Sequence, residues 1–83
     1  MIRILYFGNL PDLLGRAMEE TALPAGVADV SGLIAALAAR GEAWSRVLGK
    51  PDALKITVDK RFADPGTPVS DGAEVAFAAF IGD

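Results

Sequence analysis

The chain of 83 residues is 52% hydrophobic and has a formal net charge of -3, which fits one small domain with a buried core and excludes a disordered chain. It contains neither histidine nor cysteine, so it lacks disulfides, thiolate nucleophiles, the commonest general base and the usual zinc ligands. No apolar run is long enough to span a bilayer, and the acidic balance argues against nucleic acid as a partner. The composition favours a domain that binds or carries a group, and we expect it in the cytoplasm because no signal peptide is recognisable.

Residues 1–23 predict two strands joined by a helical turn. The segment from Ile2 to Phe7 shows little alternation between polar and apolar side chains, which is typical of a central strand buried on both faces. One helical turn is predicted from Pro11 to Gly15, because proline favours the start of a helix and glycine its end. Residues 16–23 alternate weakly, so we expect an edge strand antiparallel to the first.

The clearest helix begins after Asp29, whose side chain is the predicted N-cap. Apolar residues then recur at helical spacing and form one stripe, namely Val30, Leu33, Ile34, Leu37 and Ala38. Gly41 is expected to end this helix in the left-handed conformation, with Arg40 near the negative end of the helix dipole. A shorter helix is predicted over residues 42–48, with Trp44 closing the core.

The remaining residues predict two strands and a short extended segment. Residues 54–59 alternate between apolar and polar side chains, which indicates a half-buried strand. Phe62 lies in polar surroundings and is expected to point outward. Residues 67–69 are short and extended, and the continuous apolar run over residues 73–81 is typical of a central strand.

The order of these elements predicts the fold. A helix with a single apolar stripe is best buried across one face of a sheet. The first and last strands are then adjacent and parallel in its middle. We therefore predict one domain over residues 1–83, of the α+β class, with the β-grasp (ubiquitin-like) fold: a mixed sheet of four to five strands with one main helix packed across one face.

The most specific motif is the octet SDGAEVAF at residues 70–77. Three further segments contribute to the resemblance: the opening MIRILYF, the LPAGV before the main helix and the RGE after it. Together with the length and the order of elements, these motifs resemble the small subunit of molybdopterin synthase, a MoaD-like sulfur carrier with a β-grasp fold. The resemblance covers essentially the whole chain.

The resemblance implies a non-catalytic carrier subunit of a sulfurtransferase complex. In that family the C-terminal carboxylate carries sulfur as a thiocarboxylate, which is used to convert precursor Z (cyclic pyranopterin monophosphate) to molybdopterin in molybdenum cofactor biosynthesis. The implied partners are the large synthase subunit and an ATP-dependent, E1-like activating enzyme. The chain itself is expected to bind no cofactor, metal, nucleic acid or membrane. The implied carrier terminus is Gly82 and Asp83.

The resemblance also implies a contact surface for the large subunit. Phe7 and Phe62 correspond to apolar contact positions of the family, although Phe7 fits a core position equally well. A third contact, a phenylalanine in the family, is Ala78 here. Phe80 is expected to compensate for the lost side-chain area, and Ile81 is assigned to the same surface.

The last six residues, 78–83, depart from the family pattern. They read AAFIGD, where the family continues with Phe-Pro-Pro, two variable residues and Gly-Gly. An aspartate adds bulk and charge where glycines pass a narrow channel. Three explanations stay open: loss of sulfur carriage, partner enzymes adapted to the acidic end, and an end altered by truncation. The alternative functions are therefore a non-carrier β-grasp paralogue that docks on a partner, and a related carrier for thiamine or tRNA thiolation.

The charged residues show no sign of a catalytic pair. Glu19 and Glu20 are adjacent on a predicted strand, and nothing nearby is expected to separate their pKa values. Asp59 is interpreted as a turn residue at least as readily as a functional one. Lys55 and Arg61 fit the solvated surface of the sheet.

Overall fold

The computed structural model describes residues 1–50 and 53–80, which form a five-stranded sheet and three helices. The elements, in chain order, are β1 (Ile2–Gly8), α1 (Leu10–Leu14), β2 (Met18–Thr21), α2 (Val30–Ala38), α3 (Glu42–Leu48), β3 (Lys55–Val58), β4 (Arg61–Phe62) and β5 (Glu74–Ala79). Within the described ranges no helix is long and apolar enough to cross a membrane.

The sheet has the order β2-β1-β5-β3-β4. The central strands β1 and β5 are parallel, in a register that runs from Arg3 opposite Glu74 to Gly8 opposite Ala79. β2 is antiparallel to β1, and β3 is antiparallel to β5. This confirms the predicted α+β class, the parallel central pair and the β-grasp topology.

The expectation that β1 is buried on both faces is wrong. Its side chains alternate, with Ile4 and Tyr6 buried and Arg3 and Phe7 exposed. β5 alternates in the same way, because all three helices lie on one side of the sheet and none of the described elements covers the other. A chain of this size supplies only one helical layer. The apolar run in each central strand therefore combines core residues with surface residues.

The main helix α2 begins as predicted. The Oδ1 atom of Asp29 accepts a hydrogen bond from the backbone N–H of Gly32 at 2.8 Å. The first two N–H groups of the helix, on Val30 and Ser31, donate to the backbone carbonyls of residues 67 and 65 at 3.0 and 2.9 Å. Thr67, in the extended segment predicted at residues 67–69, and Pro65 before it therefore complete the helix start. An isolated bridge pairs Pro68 with Asp29.

The end of α2 differs from the prediction. Gly41 has φ 160° and ψ -178°, an extended conformation, and it is the N-cap of α3 instead of a left-handed terminus of α2. The helix ends at Ala39 in the right-handed conformation. Because α3 starts immediately afterwards, an extended residue is needed to redirect the chain. The guanidinium group of Arg40, the residue after Ala39, binds Glu19.

A tight turn joins β3 to the short strand β4, which the sequence did not predict. Its two residues, Asp59 and Lys60, have φ values of 51° and 68°, the combination found in two-residue hairpins. The carboxylate of Asp59 accepts from the backbone N–H of Glu74 at 3.0 Å, which supports its interpretation as a turn residue. The turn places Phe62 opposite Thr57.

Candidate functional site

The candidate site is the uncovered side of the sheet, called the open face below. Strand registers place five residues side by side across all five strands, in the order Met18, Leu5, Ala76, Thr57 and Phe62. Side chains two residues apart on a strand share a face. The row is therefore a continuous, mainly apolar band across the sheet.

A second row lies nearer the end of β5 and consists of Phe7, Ala78 and Lys55. Beside it is a groove of about 390 Å³. Residues from the ends of β1 and β5 and the start of β3 line this groove, namely Phe7, Gly8, Ala53, Lys55, Ala78, Ala79 and Phe80. The chain thus leaves β5 beside an apolar depression.

Large apolar side chains on this part of the surface are strongly exposed. The exposed fraction is 88% for Phe62, 87% for Phe80, 51% for Phe7 and 47% for Met18. Single exposed apolar residues are ordinary, but a contiguous group indicates contact with another molecule. The structure thus places Phe7 on the surface, which resolves the choice between core and surface.

The predicted contact residues come together only in part. Phe7 and Ala78 are cross-strand neighbours, and Phe80 lines the same groove. Phe62 lies at the far edge of the apolar row, on β4. Ile81, and the predicted carrier residues Gly82 and Asp83, lie outside the described residues.

Three apolar members of the open face were missed from the sequence: Leu5, Met18 and Ala76. The signal that identifies them is the strict alternation of side chains along a strand. It becomes useful only once the structure shows which alternate residues of each strand face the core. A charged row bounds the apolar residues at the other end of β1, where Arg3 is 3.5 Å from Glu20 and 4.0 Å from Glu74. Such exposed pairs contribute little stability.

A separate polar cluster lies on the helix-covered side of the sheet. The side chain of Glu19 is only 8% exposed. It accepts two hydrogen bonds from the guanidinium of Arg40, at 2.7 and 2.8 Å, and one from the Tyr6 hydroxyl at 2.8 Å. The guanidinium lies 4.7 Å from the centre of the Trp44 ring, which in turn packs edge-on against Tyr6.

This cluster corrects the expectation that nothing affects the pKa of Glu19. The hydrogen bonds from Arg40 lower that pKa and so keep the carboxylate ionised, whereas Glu20 projects from the opposite face of the strand and is exposed. Arg40 and Tyr6 already occupy the oxygens of Glu19, and a lowered pKa makes it a weak base. The cluster is therefore suited to stabilising the fold, not to proton transfer. The described residues include no acidic cluster arranged to hold a metal.

Comparison with known proteins places the sequence in a family. The profile of the ThiS family matches residues 4–82. The chain belongs to the ThiS family. Members of this family are ubiquitin-like sulfur carriers that work with partner proteins. No curated protein matches this ThiS-family chain.

Solved structures share its fold. The crystal structure of SAMP1 from Haloferax volcanii superposes with a TM-score of 0.76 at 22% identity, covering 99% of this chain and 97% of that one. A second structure of the same Haloferax volcanii protein, small archaeal modifier protein 1, gives a TM-score of 0.75 at 22% identity. The match covers 96% of this chain and 97% of that one. A Pyrococcus furiosus protein provisionally named molybdopterin converting factor subunit 1 gives a TM-score of 0.68 at 22% identity. This match also covers 96% of this chain and 97% of that one. These matches confirm the predicted β-grasp fold.

Proposed function

We propose that this chain is the small subunit of a molybdopterin synthase, which holds sulfur as a C-terminal thiocarboxylate and supplies it for conversion of precursor Z to molybdopterin. Family membership supports the carrier role. The SDGAEVAF octet at residues 70–77 supports the choice of pathway. The observation that carries the proposal is that β5, a central strand, ends beside the apolar groove of the open face.

The open face is the proposed docking surface for the large synthase subunit. Exposed aromatic side chains that become buried in a complex commonly supply much of its binding energy. Phe7 and Phe80 flank the place where the chain leaves β5, and Phe62 extends the surface to the far edge of the sheet. A partner that covers this surface also contacts Phe80, the last described residue before the proposed carrier end, which supports a coupling of binding and delivery.

The chemistry of a carrier fits a chain without histidine or cysteine. The activating enzyme would let the terminal carboxylate attack the α-phosphorus of ATP, which releases pyrophosphate and leaves an acyl adenylate. Sulfide then attacks the carbonyl carbon of the acyl adenylate and displaces AMP, which leaves the thiocarboxylate. The chain contributes the reacting carboxyl group and its presentation, and it needs no acid, base or metal of its own.

The test is an intact mass after incubation with the activating enzyme, ATP and a sulfur source. Three chains are compared: the natural sequence, a variant without Asp83, and a variant without Asp83 that also carries Ile81→Gly and so ends in two glycines. We expect the natural chain to gain the mass difference of sulfur replacing oxygen. If only the di-glycine variant gains it, the proposal fails for this sequence.

The departure of residues 78–83 from the family pattern favours one second candidate, a docking module that does not carry sulfur. The two are separated by combining the mass measurement with co-elution of the large subunit. A stable complex without any thiocarboxylate supports the docking module, and no complex at micromolar concentration contradicts both. A covalent adduct on a lysine of another protein would indicate a modifier, the role that the name of the Haloferax volcanii protein describes.

A further inference from the structure

The end of β5 leaves no room for a side chain on the last residue of β1. Gly8, the last residue of β1, lies opposite Ala79, the last residue of β5. A Cβ atom on residue 8 would lie 1.9 Å from the carbonyl oxygen of Ala79 and 2.8 Å from its carbonyl carbon. Both are backbone atoms, which cannot rotate away as a side chain can. Only a residue without a side chain fits here.

A hydrogen bond fixes the same carbonyl. The backbone N–H of Asn9 donates to the oxygen of Ala79 at 3.2 Å. Gly8 has φ 75°, a left-handed conformation that turns the chain from β1 into α1. That turn presents the Asn9 N–H to β5. The last carbonyl before Phe80 is therefore held from one side, by a close contact and a hydrogen bond together.

The other glycines with positive φ lack this contact. Among the described residues, Gly15, Gly26 and Gly72 also have positive φ, at 80°, 81° and 88°, but a Cβ on any of them would meet no atom within 4 Å. Those positions require glycine for its backbone conformation alone. Gly8 requires it for conformation and for space.

We propose that Gly8 is a positioning residue for the carrier tail, which sets the direction in which the chain leaves β5. The inference rests on the proposed function. In Gly8→Ala the carbonyl of Ala79 must move by about 1 Å to restore a separation of 3.0 Å, and misplacement by that distance can slow a reaction by roughly 10²-fold. Phe62, on β4, lies away from this change, so recognition through it is kept while presentation of the carboxylate is lost.

The experiment compares Gly8→Ala with Gly15→Ala in steady-state adenylation by the activating enzyme. Both variants place alanine at a left-handed position, so both lose stability for the same backbone reason. We expect kcat to fall at least about tenfold for Gly8→Ala with KM unchanged, and neither constant to change for Gly15→Ala. Equal kcat values for the two variants would overturn the inference.

Amide hydrogen exchange at Asn9 supplies a readout that does not depend on activity. Protection of this N–H should be lost in Gly8→Ala and kept in Gly15→Ala, and protection kept in both would also overturn the inference. If Gly8→Ala does not fold, Asn9→Pro removes the N–H while Asn9→Ala keeps it. Only the proline variant should then lose kcat, and equal values for these two would count against the inference. A natural chain that is never adenylated contradicts the proposed function, while the exchange data still test the position of Ala79.

Discussion

Replacing Glu19 with glutamine should destabilise the domain near neutral pH. The substitution keeps the shape of the side chain but removes its charge. It also puts an amide NH₂ group where one oxygen now accepts from Arg40, so two donors face each other. The Tyr6 hydroxyl and the guanidinium of Arg40 then lose part of their hydrogen bonding in a site where Glu19 is only 8% exposed.

The size of the effect follows from this geometry. A hydrogen bond to a charged group contributes roughly 1.5–3 kcal/mol. The side chain of Arg40 is 31% exposed, so water screens the pair and the lower end applies, about 1.5 kcal/mol. For a domain of this size each kcal/mol shifts Tm by about 4–8 °C. Thermal unfolding of E19Q should therefore occur about 6–12 °C lower at pH 7.

The effect should also depend on pH. The folded-state pKa of Glu19 is lowered from its ordinary value of 4.5 by the hydrogen bonds from Arg40. The stabilisation is complete above that ordinary value and is lost as the pH falls through the folded-state pKa. Unfolding followed by circular dichroism between pH 7 and pH 3 should show the two curves converging in acid.

Glu20→Gln is the matched control, since this exposed carboxylate is 3.5 Å from Arg3 and its loss should change stability by less than about 0.5 kcal/mol. The structural interpretation of the cluster is refuted if E19Q and E20Q unfold together at pH 7, or if the deficit of E19Q is undiminished at pH 3. It is also refuted if folded E19Q loses thiocarboxylation, since Glu19 lies on the side of the sheet away from the open face.

Two further substitutions test the open face and the hairpin beside it. Phe62→Ala should weaken binding of the large subunit by about 10–100-fold with little change in Tm, whereas Arg46→Ala, an exposed change on α3, should leave affinity unaltered. Calorimetric titration measures both, and equal affinities would remove Phe62 from the interface. Lys60→Gly should raise the free energy of unfolding, measured by urea denaturation, by about 1 kcal/mol. The reason is that Lys60 has φ 68°, a conformation in which glycine is unstrained. Unchanged or lower stability would contradict that strain.

The sequence predicted the topology because each element carries its own local signal. Asp29 and the apolar stripe after it identify α2, and the alternation of residues 54–59 identifies β3. The burial of the central strands was misjudged for a physical reason. Phe7 and Ala78 are apolar because they lie on the open face, and in sequence they cannot be distinguished from core residues.

Contacts between distant residues account for the rest. Glu19 and Arg40 are 21 positions apart, so no local pattern predicts that they bind each other. Gly41 follows the rule for a helix end, but the immediate start of α3 requires an extended residue there. The space required at Gly8 depends on Ala79, at the far end of the chain, and becomes visible only when β1 and β5 are paired.

We propose that this chain delivers sulfur from its C-terminus to a partner seated on the open face. A single-turnover transfer tests it most directly: the thiocarboxylated chain is mixed with the large subunit and precursor Z, and intact mass and pterin are followed together. We expect the chain to return to the mass of its carboxylate form as sulfur appears in the pterin, and Phe62→Ala to slow this transfer. A thiocarboxylate that persists beside a bound large subunit and an unchanged pterin would contradict it.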